Sequence, residues 1–320
     1  MMINKKRVAV LMGGKSAERD VSLMTGKQIL ESLDPEKYIV SELQSEDLPG
    51  LAAMPPSQRP DVVFIALHGP GGEDGTVQGF LEVLRIPYTG SGVLASALAM
   101  DKVRCKALLG TEQIIMPMDV VFEKWDAARI RRAGREVGHN LGYPVVVKPS
   151  RQGSTFGATV VVEEEDMADA LREAFRYDTT ALVEQKLEGI EITVAVLGNR
   201  SATTLPIVEI VPRNGFFDYE AKYSSEAGIA AEEIVPARIT EEAAVEAREI
   251  ALRCHRLLGC RGMSRTDMFV TEDDGVVTLE VNTIPGMAPT SLLPKAAAAA
   301  GIPFPKLLDG LITLALETTP

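Results

Sequence analysis

Two short runs near the C-terminal end, Arg265-Thr266-Asp267-Met268-Phe269-Val270 and Thr278-Leu279-Glu280-Val281-Asn282, flank Glu272-Asp273-Asp274-Gly275. Asp-Gly between stretches rich in β-branched and apolar residues predicts a β-hairpin. Strand side chains alternate between faces, so Arg265 and Asp267 share one face of the first strand, and Glu280 and Asn282 one face of the second. A turn on Asp274-Gly275 sets Asp267 opposite Asn282; a different loop placement sets it opposite Glu280. Both registers gather the four polar groups on one side and send Leu279 and Val281 to the other. Two carboxylates and an amide oxygen are hard ligands of the kind Mg2+ prefers. The same face also reads as a solvated surface carrying an ion pair. The continuation Asn282-Thr283-Ile284-Pro285-Gly286-Met287 leaves the strand through Pro and Gly, which lets backbone N–H groups turn toward that face.

Upstream, residues 8–12 form a short apolar strand running into Gly13-Gly14-Lys15-Ser16 and a helix from about Asp20. Residues 61–67 form a second strand ending at His68-Gly69-Pro70-Gly71-Gly72. Strand, glycine turn and helix in alternation predict a parallel α/β domain over the first hundred residues. Ligands gather at the carboxyl ends of such strands, where both glycine loops lie. From residue 101 the pattern becomes a smaller α+β module: helices over 101–109, 127–141 and 163–174, and strands over 145–148, 159–162 and 181–184. The Gly/Ser loop 149–157 lies inside it. Strands over 192–197 and 207–211 follow, then an irregular stretch 213–236 and a helix over 241–258, capped by Thr240 and stopped by Gly259. After the hairpin a helix closes the chain beyond Leu292. The expected domains are 1–100, 101–190 and 191–320.

A chain of 320 residues with 46% apolar content can bury a large core. Its net charge of −12 argues against nucleic acid or an anionic membrane as partner. No apolar run approaches the roughly 18 residues needed to span a bilayer, and residues 8–12 are too short for a signal-peptide core. Cys105, Cys254 and Cys260 lack CxxC spacing and read as reduced, buried thiols. A cytoplasmic enzyme is expected.

Gly14-Lys15-Ser16 fails the P-loop pattern, because Ala9 stands where its first glycine belongs. Neither glycine loop fits GxGxxG. Gln152-Gly153-Ser154-Thr155-Phe156-Gly157 follows a strand ending in Lys148, and such a loop can wrap phosphates with a lysine balancing charge, or be an ordinary surface loop. His68 reads as a turn residue or a ligand contact. Glu18 reads as an anion favourably placed at a helix start, or as a carboxylate awaiting an ammonium group. Tyr219, Lys222 and Tyr223 lie in a long irregular segment whose aromatics favour a functional loop.

These elements, in this order, resemble the D-alanine–D-alanine ligases of the ATP-grasp superfamily. The resemblance is carried by Gly13-Gly14-Lys15-Ser16-Ala17-Glu18-Arg19-Asp20-Val21-Ser22, Ala66-Leu67-His68-Gly69, Gly72-Glu73-Asp74-Gly75-Thr76-Val77-Gln78-Gly79 and Pro87-Tyr88-Thr89-Gly90-Ser91-Gly92. Met100-Asp101-Lys102, Val147-Lys148-Pro149-Ser150-Arg151, Asp218-Tyr219-Glu220-Ala221-Lys222-Tyr223 and Glu280-Val281-Asn282-Thr283 extend it over nearly the whole chain. It implies a three-domain ATP-grasp architecture of α/β and α+β units with an N-terminal parallel α/β domain. It also implies ATP-dependent joining of two D-alanine molecules through an acyl phosphate, for peptidoglycan precursors.

By resemblance, Asp267, Glu280 and Asn282 hold two Mg2+ or Mn2+ ions, and a monovalent cation such as K+ accompanies them. Lys102, Lys148 and Lys222 contact phosphates, and Glu184, Leu187 and Glu191 hold adenine and ribose. Arg265 and the Gly286 N–H stabilise the tetrahedral intermediate. Glu18 and His68 fix the first D-alanine, Ser291 and Leu292 the second, and Glu18, Ser154 and Tyr223 form a hydrogen-bonded set that closes a lid. A homodimer is implied, with no nucleic-acid or membrane partner. Gln152, Pro70, Lys186 and Ile284 depart from residues common in the family at their places. A D-lactate-using relative is the nearest rival, but it lacks the Tyr of the Lys222-Tyr223 pair. A non-catalytic relative would lose a metal ligand or Arg265, and all are present.

Overall fold

Continuous apolar runs suit strands covered on both faces. Such runs build the central strand and one edge of the first sheet, in which β1 (Lys6–Met12) lies between β2 (Tyr38–Gln44), a more exposed strand, and β3 (Val62–Ile65), all parallel. Val8, Val10, Leu11, Val62, Val63 and Phe64 are fully or almost fully buried. The structure, a computed structural model, describes residues 5–212, 231–273 and 275–317. The helix Arg19–Ser32 covers β1. The final helix, Phe304–Glu317, returns to pack on β3 and on Arg19–Ser32, so both ends of the chain share one core. Among the described residues no single helix is long and apolar enough to cross a membrane.

The second sheet is antiparallel, in the order β4 (Asp119–Glu123), β7 (Thr180–Gln185), β5 (Val145–Pro149), β6 (Thr159–Val161). Two expected helices are shorter than their sequence patterns. The stretch 127–141 divides into Ala127–Ile130 and Ala133–Asn140. Arg129 folds across the break to clasp Glu136, and Gly134 lets the second piece approach Glu164, whose carbonyl would lie 2.7 Å from a Cβ there. The stretch 163–174 starts as the 3-10 turn Glu164–Asp166 before the helix Met167–Ala174.

The third sheet runs β11 (Glu232–Ile234), β10 (Val208–Val211), β8 (Ile190–Leu197), β12 (Met263–Thr271), β13 (Gly275–Asn282), with β9 (Thr203–Thr204) beside β8. The strand β11 falls in a stretch the sequence pattern left irregular. The helix Glu241–Leu258 lies on β8, β12 and β13; the Thr240 side chain accepts the Ala243 N–H at 3.2 Å, and Gly259 ends the helix at φ 72°. Lys222 and Tyr223 lie outside the described residues.

The hairpin has the register with Asp267 opposite Glu280 and Arg265 opposite Asn282. Thr271 pairs with Gly275, so the connection has three residues, and Gly275 takes φ 69° as such loops require. A β-bulge then shifts the pairing between Asp267 and Met268 and leaves Leu279 as the extra residue. The expectation that Leu279 faces away with Val281 is thereby corrected. Leu279 joins Glu280 in lining a cavity, while Val281 is buried in the core beneath.

Candidate active site

The second and third sheets face each other across a cavity of about 510 Å3. Lys102, Lys148, Glu184, Leu187 and Glu191 all line it, with Asp267 and Glu280. Val146, Ile210, Phe269 and Leu279 supply apolar surface, which suits a flat heteroaromatic group at one end and phosphates at the lysine end. Register builds the charged floor. Asp119 and Val146 both stand opposite Glu184, so these three and Lys148, two residues beyond Val146, share a sheet face. Lys148 pairs with Glu184 Oε2. Burial opposes the Lys148 charge, but Glu184 and Glu280 outweigh it and raise its pKa. Burial likewise opposes the Glu184 anion, and Lys148 and Lys106 together hold its pKa below the usual value.

A smaller cavity of about 60 Å3 adjoins the first, and Gly153, Ser154 and Glu280 line both. It brings together Glu18, His68, Arg265, Asn282, Gly286, Ser291 and Leu292, the remaining described residues singled out from sequence. Glu18 stands at the start of Arg19–Ser32, just beyond the glycine turn after β1, and accepts the Ser154 hydroxyl. Ser16 ties that turn to the next strand end by donating to the His68 carbonyl at 2.7 Å, and His68 Nε2 lies 3.2 Å from Thr25 Oγ1. The loops meet closely at two glycines: a Cβ on Gly69, which has φ 73°, would lie 2.5 Å from Glu18 Oε2, and one on Gly153 2.9 Å, so either would displace the Glu18 carboxylate. Burial, with Arg265 nearby, lowers the His68 pKa to about 4, so the ring is neutral at pH 7.

Between the cavities the hairpin's polar face is tightly paired. Arg265 clamps Asp267 through Nε at 2.8 Å and Nη2 at 2.7 Å. Asp267 also accepts Thr193 Oγ1 at 2.6 Å and Asn282 Nδ2 at 3.0 Å. Lys102 Nζ lies 3.3 Å from Glu280 Oε2 and donates to the Gln152 carbonyl at 2.7 Å, tying the Gly/Ser loop to the hairpin. As donors, Asp267, Glu280 and the Asn282 amide oxygen fit a hard divalent cation beside phosphate oxygens. Asp267 would exchange hydrogen bonds from Arg265 and Asn282 for such an ion.

Sequence reasoning singled out neither Glu73 nor Lys106. Glu73 lines the small cavity and accepts the Gly69 N–H at 2.7 Å. Burial first, then the Glu18 charge, push its pKa up to about 8. In sequence it sits inside Gly72-Glu73-Asp74-Gly75, which reads as a turn, so nothing local betrays its burial. Lys106 anchors Glu184 and carries one faint signal, its i,i+4 spacing from Lys102. Of the four departures, Gln152 and Ile284 are buried, Lys186 lines the large cavity and Pro70 is exposed.

Family models for the D-ala D-ala ligase N-terminus and C-terminus match residues 41–91 and 112–313. A D-alanine–D-alanine ligase of Pelotomaculum thermopropionicum is 46% identical over 97% of each chain. One of Syntrophobacter fumaroxidans is 45% identical over 99% of this chain and all of its own. Among solved structures, the D-alanine–D-alanine ligase of Bacillus anthracis complexed with ATP superposes with a TM-score of 0.81 at 33% identity, over 98% of both chains. The VanG D-Ala:D-Ser ligase of Enterococcus faecalis gives 0.82 at 33% identity, over 98% of this chain and all of its own.

Proposed function

The chain belongs to the D-alanine–D-alanine ligase family, and on that premise we propose how its residues divide the reaction. The enzyme joins two D-alanine molecules at the expense of ATP, for peptidoglycan synthesis. The observation that carries the residue-level reading is the adjacency of the two cavities, with Gly153, Ser154 and Glu280 in both walls. A nucleotide in the large cavity and an amino acid in the small one meet at that wall.

In this reading Leu187, Glu191 and Glu184 hold adenine and ribose, while Lys102, Lys148 and Lys222 neutralise phosphates. Asp267, Glu280 and Asn282 would hold two Mg2+ or Mn2+ ions, which supply charge neutralisation at the triphosphate; a monovalent cation assists. Glu18 takes the first D-alanine's ammonium group and His68, neutral by burial, helps fix that molecule. A carboxylate oxygen of this D-alanine attacks the γ-phosphorus, and ADP leaves. Positioning and charge balance carry most of such a transfer.

Ser291 and Leu292 hold the second D-alanine, whose free amine attacks the acyl carbon. Arg265 and the Gly286 N–H stabilise the oxyanion before phosphate departs. The Glu18, Ser154 and Tyr223 set keeps the Gly/Ser loop closed, excluding water from the acyl phosphate. A cytoplasmic homodimer completes the proposal. Phosphate release measured in parallel with D-alanine, L-alanine and D-lactate tests the substrate reading. Stimulation by D-alanine alone is expected; a D-lactate-dependent depsipeptide, or no D-alanine stimulation, contradicts it.

A further inference from the structure

None of these roles uses Lys106. It follows Lys102 by one turn on the helix Lys102–Gly110, so the two ammonium groups leave the same helix face. Lys106 is 9% exposed, and its ammonium reaches Glu184 Oε1 at 2.6 Å, the Pro117 carbonyl at 2.7 Å and Asp119 Oδ1 at 2.8 Å. Three oxygens match the three N–H donors of an ammonium group. The other Glu184 oxygen is held by Lys148, which lines the large cavity as Glu184 does; Lys106 does not line it. Two ammonium and two carboxylate groups thus form one neutral cluster, buried at Lys106 and Glu184 and reaching solvent at Asp119, with Lys148 on the cavity side.

We propose that Lys106 is a positioning residue that keeps the Glu184 carboxylate paired, so that Lys148 can leave it for the phosphates of the nucleotide. The inference rests on the reading of Lys148 as a phosphate-binding residue. Glu184 is 2% exposed, and a buried carboxylate stripped of its cation is costly. With Lys106 in place, Lys148 turns to the phosphates and Glu184 keeps a full-strength partner. Without Lys106, Glu184 and the facing Asp119 hold Lys148 back, and each phosphate contact is made at the expense of an unpaired carboxylate.

Calorimetric titration of the full chain with ATP, and separately with adenosine as the phosphate-free probe, tests this. Lys106→Met is expected to weaken ATP binding roughly tenfold or more, since apparent affinity scales with the fraction of protein in which Lys148 is free. Adenosine affinity should fall far less, because Glu184 keeps Lys148 as its partner when no phosphate is present, whereas a merely structural loss would weaken both ligands alike. In a Glu184→Gln background the same substitution should cost no further ATP affinity, and this comparison decides the matter if Lys106→Met alone does not fold. Unchanged ATP affinity in Lys106→Met, equal losses for both ligands, or a further loss on the Gln background would overturn the proposal. Unchanged ATP affinity in Lys148→Met would overturn instead the phosphate reading beneath it.

Discussion

The Glu73 pKa is raised because its anion is penalised first by burial and then by Glu18, and the Gly69 N–H offsets only part of that. A group whose pKa is higher in the folded than in the unfolded chain stabilises the fold below its unfolded pKa and loses that contribution as pH rises through the folded value. For Glu73 these limits are 4.5 and about 8. Glu73 therefore adds a falling component to the melting temperature across that window, set against the rising one from His68, and the melting temperature of Glu73→Gln is expected to rise relative to that of the unsubstituted chain as pH increases through it. An unchanged profile in the variant would show that Glu73 does not carry the proton. Glu73 also marks where the sequence was silent at this scale. Glu18, His68 and Arg265 stand beside turn or strand signals that give them direction, whereas the burial of Glu73 comes from segments far away in the chain.

At the scale of elements, the helix Glu241–Leu258 was legible to the residue, because its cap and its stop are local chemistry. The hairpin was legible as a strand pair with one polar face, but not in full register. Its three-residue connection and its bulge both arise from pairing, and β12 also pairs with β8. The bulge has a chemical consequence. It turns Leu279 toward the large cavity, the proposed nucleotide site, beside Glu280, setting an apolar contact next to a proposed metal ligand. Leu279→Ala is expected to cost roughly 1–2 kcal/mol of ATP binding, from the apolar area lost, with little change in melting temperature. Undiminished ATP affinity in a titration would place Leu279 outside the nucleotide contact.

Across the whole molecule, the proposed chemistry needs all three sheets. The first supplies Glu18 and His68 at the ends of β1 and β3; the second supplies Lys148, Glu184 and the Gly/Ser loop; the third supplies the hairpin and the turn at Gly286. The order of these segments was readable because each carries its own motif. That the two cavities share a wall was not, since it depends on how the sheets face one another. In the proposed reaction one continuous site moves the γ-phosphoryl group onto a D-alanine carboxylate and then lets an amine displace it. D-Alanine labelled with 18O in its carboxylate, turned over with unlabelled ATP, follows that oxygen. Each phosphate released should carry one 18O atom, and each dipeptide formed should have lost one; unlabelled phosphate alongside dipeptide would contradict an acyl phosphate route.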